Sequence, residues 1–457
     1  MELRDYQSKS IENIRKAFAE GHRKICFQLP TGGGKTILAA FMMKNAVERG
    51  LKVLFLVHLK ELVDQTREKL DMVGVEYGLI TSNADTNYGQ PVQLAMVQTL
   101  NRRLDSLPIG FDLILTDEAH HCTSATYKKI YDHFPDAYQI GLTATPQRLD
   151  GKGLKLIYDK IVRGPKVEDL IERGHLSPYR LFSVPSDLDL SKVHTMAGDY
   201  NLKELAEQVE KSCILGDAVK HYKRFLSGEK ALVFCTKISH SIEVARKFNE
   251  AGIAAAHVDG KMSKRERNQV IEDFRVGKCK VLCNCSLISE GFDVPDCSGV
   301  ILLRPTQSLS LYLQMVGRGL RPVEGKTAII LDHVGNCVRH GLPDDDRQWT
   351  LEGKKKGQRK TAPVAVTVCE GCFNVYSSKQ KMCPYCYKVP KRKPKAELEE
   401  VDGDLVEVTK QTIKKPELNM KASQCRSLEE LQQLGRELGY KPGWAIYRWN
   451  ARRKRYG

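Results

Sequence analysis

The glycine-rich segment Leu29-Pro-Thr-Gly-Gly-Gly-Lys-Thr36 constrains the fold of this chain more than any other sequence feature. It directly follows a short apolar run typical of a strand, and it opens a helical pattern over Thr36–Arg49. Glycines in a strand-to-helix turn allow backbone N–H groups to point inward at phosphate oxygens. Lys35 is then placed to reach the terminal phosphates of a nucleotide, and the Thr36 hydroxyl is placed to bind Mg²⁺. The predicted nucleotide-binding residues of this loop are Thr31, Gly32, Gly33, Gly34, Lys35 and Thr36.

Short apolar runs alternate with amphipathic helical patterns along the chain, which is typical of parallel sheets covered by helices. The pattern occurs twice and ends near residue 340. The strands predicted in the first half are Lys24–Leu29, Lys52–Val57, Val92–Val97, Phe111–Asp117 and Tyr138–Thr143. Those predicted in the second half are Lys230–Cys235, Ile253–Val258, Lys278–Asn284, Gly299–Leu303 and Lys326–Asp332. We therefore expect two tandem α/β domains, over 1–164 and 165–340.

An acidic pair ends one of the predicted strands, in the sequence Phe111-Asp-Leu-Ile-Leu-Thr-Asp-Glu-Ala-His120. In an ATPase, Asp117 would hold Mg²⁺ and Glu118 would orient and deprotonate the attacking water. The alternative is a carboxylate pair that only caps the next helix. The phosphate-loop segment upstream favours the ATPase interpretation.

Together these two segments resemble the DEAH-box form of the superfamily-two helicases, and the family's other motifs follow in order over residues 1–340. The resemblance implies two RecA-like domains with ATP bound between them. Leu3-Arg-Asp-Tyr-Gln7 is similar to the motif in which Gln7 reads adenine. Gly141-Leu-Thr-Ala-Thr-Pro146 is similar to the motif whose Thr143 and Thr145 couple ATP state to the grip on the strand.

The same resemblance assigns residues to the nucleic-acid backbone and to the far side of the ATP cleft. Segments 57–65, 96–100 and 232–239 are similar to backbone-contacting motifs, and they supply His58, Lys60, Thr99, Thr236 and Lys237. Segment 289–295 would bring Gly291 and Asp293 to the nucleotide, although Glu290 stands where many family members carry arginine. Gln314-Met-Val-Gly-Arg-Gly-Leu-Arg321 is similar to the motif whose Arg318 and Arg321 neutralise charge on the γ-phosphate.

Four of the 14 cysteines form one cluster, Cys369, Cys372, Cys383 and Cys386, spaced as C-x-x-C, ten residues, C-x-x-C. Paired thiolates at this spacing are typical of a structural Zn²⁺ site in a zinc ribbon. Disulfides and an iron–sulfur cluster are the alternatives. The other ten cysteines are interpreted as small apolar residues in a reducing compartment.

The basic charge of the chain is concentrated in its C-terminal part. The net charge is +16, and residues 341–457 contain 25 basic and 15 acidic side chains. We expect a charged, flexible linker over 341–364, the zinc ribbon over 365–390, a second linker over 391–420 and a basic helical hairpin over 421–457. Arg448, Arg452 and Arg453 are candidates to contact nucleic-acid phosphates. The aromatic residues beside them could instead form the core of the hairpin, and we expect a mixture, with the tryptophans inside and the arginines on phosphate.

The chain most resembles the superfamily-two group that contains the eukaryotic repair helicase XPB and compact bacterial and phage DNA helicases. This implies a DNA helicase or translocase acting on single-stranded, forked or branched DNA in repair, recombination or replication. The alternatives are a double-strand translocase that does not unwind, an RNA helicase and a non-catalytic binding protein. No signal peptide or membrane span is apparent, so we expect a monomer in the cytoplasm of a bacterial or phage-infected cell.

Overall fold

The chain is described from a computed structural model. The described residues are 2–82, 87–147, 153–183, 195–196, 199–201, 214–285, 297–352, 366–369, 372, 374–377, 380, 382–389, 425, 427–437, 445–446 and 449. Residues 1–390 form one compact unit and residues 391–457 form another.

The first half of the chain builds a seven-stranded parallel sheet. Its strands are Lys24–Gln28 (β1), Val53–Val57 (β2), Tyr77–Ile80 (β3), Val92–Met96 (β4), Leu113–Thr116 (β5), Tyr138–Thr143 (β6) and Lys160–Arg163 (β7). They lie in the order β3-β4-β2-β5-β6-β1-β7. Helices cover both faces of the sheet, so its central strands are apolar throughout. All five residues of β2, for example, are buried.

Six helices accompany the first sheet. They are Asp5–Ala19 (α1), Lys35–Val47 (α2), Lys60–Val73 (α3), Val97–Arg103 (α4), Ala125–His133 (α5) and Val167–Glu172 (α6). Two 3₁₀ turns, Leu104–Ser106 and Ala119–His121, continue from α4 and β5. The parallel order places the carboxyl ends of β1, β5 and β6 side by side, and the loops after these three strands carry the predicted ATPase motifs.

The second half repeats the design with six parallel strands. They are Tyr179–Ser183 (β8), Ala231–Phe234 (β11), Ala255–Val258 (β12), Val281–Asn284 (β13), Gly299–Leu302 (β14) and Ala328–Asp332 (β15). Their order is β12-β13-β11-β14-β15-β8, and a two-stranded ladder of Thr195–Met196 (β9) with Asp199–Tyr200 (β10) lies apart from the sheet. The helices are Ile214–Phe225 (α7), Ile238–Glu250 (α8), Lys264–Arg275 (α9), Leu309–Gly317 (α10) and Asn336–His340 (α11).

All ten predicted strands are present, with shorter ends in most cases, and the predicted helix after the phosphate loop is α2. Three strands of the two sheets, β3, β7 and β8, were not predicted. All three lie at a sheet edge, where only one neighbouring strand is paired. Edge strands are less continuously apolar, as the alternating burial of β3 illustrates, and they therefore lack the sequence signal of a central strand.

Residues 342–352, here called the return segment, correct the prediction of a flexible linker that starts at 341. This segment leaves α11 of the second half and packs on the first half. Trp349 and Leu351 are buried, and the Leu351 carbonyl accepts a hydrogen bond from the Lys155 backbone N–H at 3.0 Å. The Arg347 guanidinium donates to four backbone carbonyls, among them Leu342 O at 2.7 Å. Three consecutive aspartates give the sequence a linker-like composition that hides these contacts.

The cysteine-rich segment forms a small hairpin, Val366–Val368 (β16) paired with Val375–Ser377 (β17). It packs beside edge strand β8, where Asn374 and Phe182 form an antiparallel bridge. In the separate C-terminal unit, the helix Leu428–Glu437 (α12) begins with the Ser427 hydroxyl accepting the Glu430 backbone N–H at 3.1 Å. This contact is one half of a capping box, which begins a helix by satisfying a backbone N–H of its first turn.

No helix in the described part of the chain is long and apolar enough to cross a membrane.

Candidate active site

The loop between β1 and α2 has the backbone geometry of a phosphate cradle. Gly32 and Gly34 both have φ of +83°, in the left-handed region that favours glycine. A Cβ on Gly34 would lie 2.6 Å from Gln7 Nε2, so a larger residue would displace the Gln7 side chain. The Gln7 side-chain Oε1 accepts the Arg4 backbone N–H at 3.0 Å, which fixes this side chain at the start of α1. The sequence motif and the fold thus bring Gln7 against the glycine-rich loop.

A tyrosine that the sequence motifs did not single out braces the same loop. The Tyr6 hydroxyl donates to the Gly33 carbonyl at 2.8 Å. Lys35 begins α2, and its Nζ lies 3.5 Å from the Leu29 carbonyl across the loop. Thr31 Oγ1 is buried with no hydrogen-bond partner in the described part of the chain. Since buried polar atoms are normally satisfied, this orphaned hydroxyl fits a loop that binds a polar ligand.

Asp117 and Glu118 follow β5 and lie in the interior beside this loop. Burial, and then the adjacent Glu118 carboxylate, raises the pKa of Asp117 to about 6, while Lys35 opposes the shift. Two neighbouring buried carboxylates favour a cation, because each disfavours the charge on the other. The donor set of Asp117 with the Thr36 hydroxyl fits Mg²⁺, which prefers oxygen ligands.

Glu118 has a left-handed backbone, with φ of 47° and ψ of 54°. Its N–H donates to Asp117 Oδ1 at 2.9 Å, and its Oε2 lies 3.4 Å from His120 Nδ1. Non-glycine residues in this conformation cluster at functional sites because the surrounding structure must hold them there. No sequence pattern signals this conformation.

A chain of polar contacts leads from Glu118 to the second half of the molecule. His120 Nδ1 also lies 3.2 Å from Thr143 Oγ1, and that hydroxyl accepts the Thr145 backbone N–H at 3.1 Å. The Thr145 hydroxyl then donates to the Ser310 hydroxyl on α10 at 2.6 Å. All five residues are largely buried. Ser310 was not predicted, because a contact made across 165 residues of sequence leaves no local pattern.

The end of α10 packs directly on the phosphate loop. A Cβ on Gly317 would lie 2.6 Å from the Thr31 Cβ, so only glycine fits this approach. Arg318 follows Gly317 directly. The Arg321 backbone carbonyl accepts the Ser177 hydroxyl at 2.9 Å, and this hydrogen bond fixes the backbone at Arg321. The backbone that bears both predicted arginines is therefore anchored beside the loop.

The structure distributes the predicted nucleic-acid contacts among different environments. The His58 ring lies 4.8 Å from the His121 ring, which connects this residue to the acidic motif. Lys60 is exposed at the start of α3, whereas Thr99 is half-buried on α4. Thr236 is buried and its hydroxyl lies 3.0 Å from His240 Nδ1, so its side chain does not face solvent. Lys237, the N-cap residue of α8, is half-buried.

Five predicted site residues lie outside the described residues: Gly291, Asp293, Arg448, Arg452 and Arg453.

The four clustered cysteines converge on one point, with all their sulfur atoms within 4.8 Å of one another. Cys369 and Cys386 Sγ are 3.4 Å apart, and Cys372 and Cys383 Sγ are 3.6 Å apart. Tetrahedral zinc with Zn–S bonds of about 2.3 Å separates its sulfur ligands by about 3.8 Å. Asn374 Nδ2 donates to Cys372 Sγ at 3.2 Å, as groups around a thiolate metal site commonly do. The donor set and its spacing fit zinc.

The scattered cysteines differ from this cluster. Of the nine that are described, seven are buried, and burial raises the pKa of the Cys122 thiol to about 11. Such thiols are poor metal ligands and poor nucleophiles because the thiolate is the reactive form.

Comparison with known proteins identifies a family for each half. The family described as Type III restriction enzyme, res subunit, matches residues 1–148, and the helicase conserved C-terminal domain matches residues 214–323. A 51.5 kDa protein of a Lactococcus phage is 41% identical over 394 residues, which are 85% of this chain and 83% of that protein.

Two further similarities point in the same direction. ATP-dependent helicase IRC3 of Saccharomyces cerevisiae is 32% identical over 73% of this chain, although the chain spans only 51% of that protein. The structure of a fragment assigned to an HsdR subunit of a type I restriction enzyme from Vibrio vulnificus shares the fold. It has a TM-score of 0.58 and 23% identity over 73% of this chain and 64% of the fragment.

These findings confirm the predicted α/β fold with two RecA-like domains. They also confirm that the chain is a nucleic-acid-dependent ATPase of the helicase type. The chain belongs to the superfamily-two helicases, and its sequence is similar to phage proteins, to an XPB-like translocase and to type I restriction subunits.

Proposed function

We propose that this protein is an ATP-dependent DNA helicase or translocase that remodels forked or branched DNA. The observation that carries the proposal is the contact between Thr31 of the phosphate loop and Gly317 of α10. It joins the two halves at the nucleotide site, so a change in bound nucleotide acts on both halves at once. Motion of one half against the other is the general way in which such a cleft performs work.

In this proposal the residues of the cleft divide the chemistry among them. Lys35 and the glycine-rich loop bind the phosphates of ATP, and Gln7 recognises adenine. Glu118 orients the attacking water and accepts its proton at the carboxylate. Thr36 and Asp117 would hold Mg²⁺, which would supply positive charge to neutralise the phosphates of ATP.

The second half contributes the remaining groups. Arg318 and Arg321 neutralise the charge that develops on the γ-phosphate, and Gly291 with Asp293 approaches the nucleotide. The polar chain from Glu118 through Thr143 and Thr145 couples the position of the catalytic carboxylate to closure. The nucleic-acid backbone is gripped on the two halves by His58, Lys60, Thr99 and Lys237. Arg448, Arg452 and Arg453 add phosphate contacts from the tail.

DNA is the proposed substrate on two grounds. The C-terminal part carries the excess of basic residues that a polyanion attracts. In addition, a protein of Sulfurisphaera tokodaii named as a DNA 3′–5′ translocase is 25% identical over 73% of this chain and 82% of its own length. The DEAH-box assignment and a zinc ribbon at Cys369, Cys372, Cys383 and Cys386 are parts of the same proposal. So is the division into RecA-like domains at 164 and 340, with a zinc ribbon over 365–390 and a C-terminal basic segment after 420.

A panel of single-stranded, duplex, forked and four-way DNA, beside matched RNA, tests the proposal when scored for ATPase stimulation and strand displacement. We expect the strongest stimulation and displacement with forked or four-way DNA. Triplex displacement without strand separation would instead identify a double-strand translocase, and stimulation by RNA alone would identify an RNA helicase. ATPase activity indifferent to every nucleic acid would contradict the proposal.

A further inference from the structure

The turn around the second cysteine pair, Cys383 and Cys386, is called the second knuckle here, and it presents two aromatic rings to solvent. Tyr385 is 48% exposed and Tyr387 is 73% exposed. Lys388 beside them and Arg180 on β8 are also exposed. These four residues are called the knuckle face below. Exposed tyrosines of this kind commonly belong to binding surfaces, because their rings gain contact area at a low cost in conformational entropy.

The backbone of the knuckle holds Tyr387 outward. Its φ is +59°, in the left-handed region that non-glycine residues rarely adopt. The turn is fixed by two backbone hydrogen bonds, from Tyr387 N to Cys383 O at 2.9 Å and from Cys383 N to Lys388 O at 3.0 Å. The hydrogen bonds of the turn therefore fix the backbone that bears this exposed ring.

Arg180 joins the knuckle to the second RecA-like sheet. Its guanidinium carbon lies 5.8 Å from the centre of the Tyr385 ring and 5.0 Å from the centre of the Phe182 ring. Because Asn374 also bridges to Phe182 and Val375 is buried in the main core, the cysteine hairpin is docked on β8. The knuckle face thus moves with the second half of the motor.

The charge of this segment selects the kind of partner. Residues 371–396 contain seven lysines and arginines and no acidic residue. Among the described residues, Arg180 and Lys388 accompany the two rings, and the Asp344 carboxylate also lies near Tyr385. Aromatic rings beside cations in a segment of net positive charge match a ligand that offers flat bases and a continuous negative backbone. The bases of a duplex are stacked on one another and not available to such rings.

We propose that the knuckle face binds single-stranded nucleic acid by stacking bases on Tyr385 and Tyr387, while Arg180 and Lys388 contact its phosphates. This inference rests on the proposed function, and it names the part of the molecule that holds the separated strand. Recognition is independent of sequence, because every base has a face that can stack.

The test uses the full zinc-loaded chain without nucleotide, a fluorescent oligothymidine and a blunt duplex of the same length. For the Tyr385→Ala/Tyr387→Ala double variant, we expect affinity for the single strand to fall about tenfold or more, with a much smaller change for the duplex. The Tyr385→Phe/Tyr387→Phe variant keeps its rings and should bind as the wild type does. Lys388→Gln should reduce the slope of log affinity against log salt by about 0.7.

Tyr138→Ala is the matched control. Tyr138 is a 41% exposed tyrosine of the first sheet with the Arg23 guanidinium 4.7 Å from its ring centre, and it lies outside the knuckle face. Zinc content and nucleic-acid-free ATPase activity should be unchanged in all variants. Wild-type affinity in the double alanine variant, or an equal loss for single strand and duplex, would overturn the inference and leave the proposed function intact. A wild-type protein that bound no nucleic acid would instead overturn the proposed function.

Discussion

Glu118 stores backbone strain at the point where the proposed chemistry occurs. A non-glycine residue in the left-handed region costs about 1–3 kcal/mol, so neighbouring contacts must maintain it. The Asp117 carboxylate and the His120 ring provide those contacts. Because His120 also touches Thr143, the position of Glu118 depends on the loop that reaches the second half.

The hydroxyl contact between Thr145 and Ser310 should therefore affect turnover more than stability. For Ser310→Ala and for Thr145→Val, we expect DNA-stimulated kcat to fall about 2- to 10-fold, the effect of losing a hydrogen bond of about 0.5–1.5 kcal/mol. Thr145→Ser keeps the hydroxyl and should retain activity. Steady-state ATPase assays at saturating DNA measure these changes.

A double-mutant cycle separates this coupling from simple destabilisation. If the two hydroxyls act as one contact, Ser310→Ala/Thr145→Val should lose no more activity than either single variant. Ser308→Ala is the control, because the Ser308 hydroxyl accepts the Leu311 backbone N–H within the same helix. Additive losses in the cycle would refute the coupling.

At the scale of elements, the approach of α10 to the phosphate loop depends on the absence of a side chain at Gly317. Gly317→Ala inserts a methyl group 2.6 Å from the Thr31 Cβ and must push the two halves apart. Overpacking costs about 1–3 kcal/mol, so kcat/KM for ATP should fall about tenfold. Gly110→Ala, with no atom within 4 Å of the added methyl group, is the matched control. An unchanged kcat/KM in Gly317→Ala would show that the halves do not need this contact for turnover.

The cysteine hairpin should contain about one Zn²⁺ per chain, because four thiolates occupy all positions of a tetrahedral site. Elemental analysis of the purified protein measures this directly. Cys383→Ser should lose the metal, whereas Cys122→Ser, which changes a buried cysteine outside the cluster, should retain it. Iron in place of zinc, or no metal, would contradict the assignment.

Sequence patterns predicted an element well where a local apolar run or a short motif was sufficient to identify it. The central strands, the phosphate loop and the acidic pair are local features, and each is where the pattern placed it. The strands β3, β7 and β8 were missed because they lie at sheet edges. A strand at an edge is less completely buried, so its sequence has a less continuous apolar run. The return segment was misjudged because Trp349 and Leu351 are isolated apolar residues in a charged stretch, and only tertiary contacts bury them.

At the scale of the whole molecule, two similar sheets are joined into one ATPase by contacts that no local pattern reveals. The pairs Thr31 with Gly317 and Thr145 with Ser310 each join distant parts of the sequence. The order of motifs predicted that the halves meet at a nucleotide. It did not predict which side chains make the contact. Packing between domains leaves no periodic pattern in the sequence of the kind that helices and strands leave.

The return segment adds a second connection between the halves, away from the nucleotide. The Arg163 guanidinium donates to the Gln348 side-chain oxygen at 3.2 Å, and Lys155 Nζ lies 2.7 Å from Glu352, so polar and charged pairs accompany the buried Trp349. Exposed ion pairs contribute little stability, and the buried tryptophan supplies most of the attachment. Relative motion of the halves must accommodate this segment.

The most direct test of the central claim is the turnover of Glu118→Gln and Lys35→Ala beside the wild type, measured as DNA-stimulated ATP hydrolysis. Removing the proposed base or the phosphate-binding lysine should abolish stimulated hydrolysis, with a loss of about 100-fold or more. Glu118→Gln should still bind both ATP and DNA, because the glutamine keeps the shape of the side chain. Wild-type turnover in either variant would contradict the assignment of this cleft as the site of ATP hydrolysis.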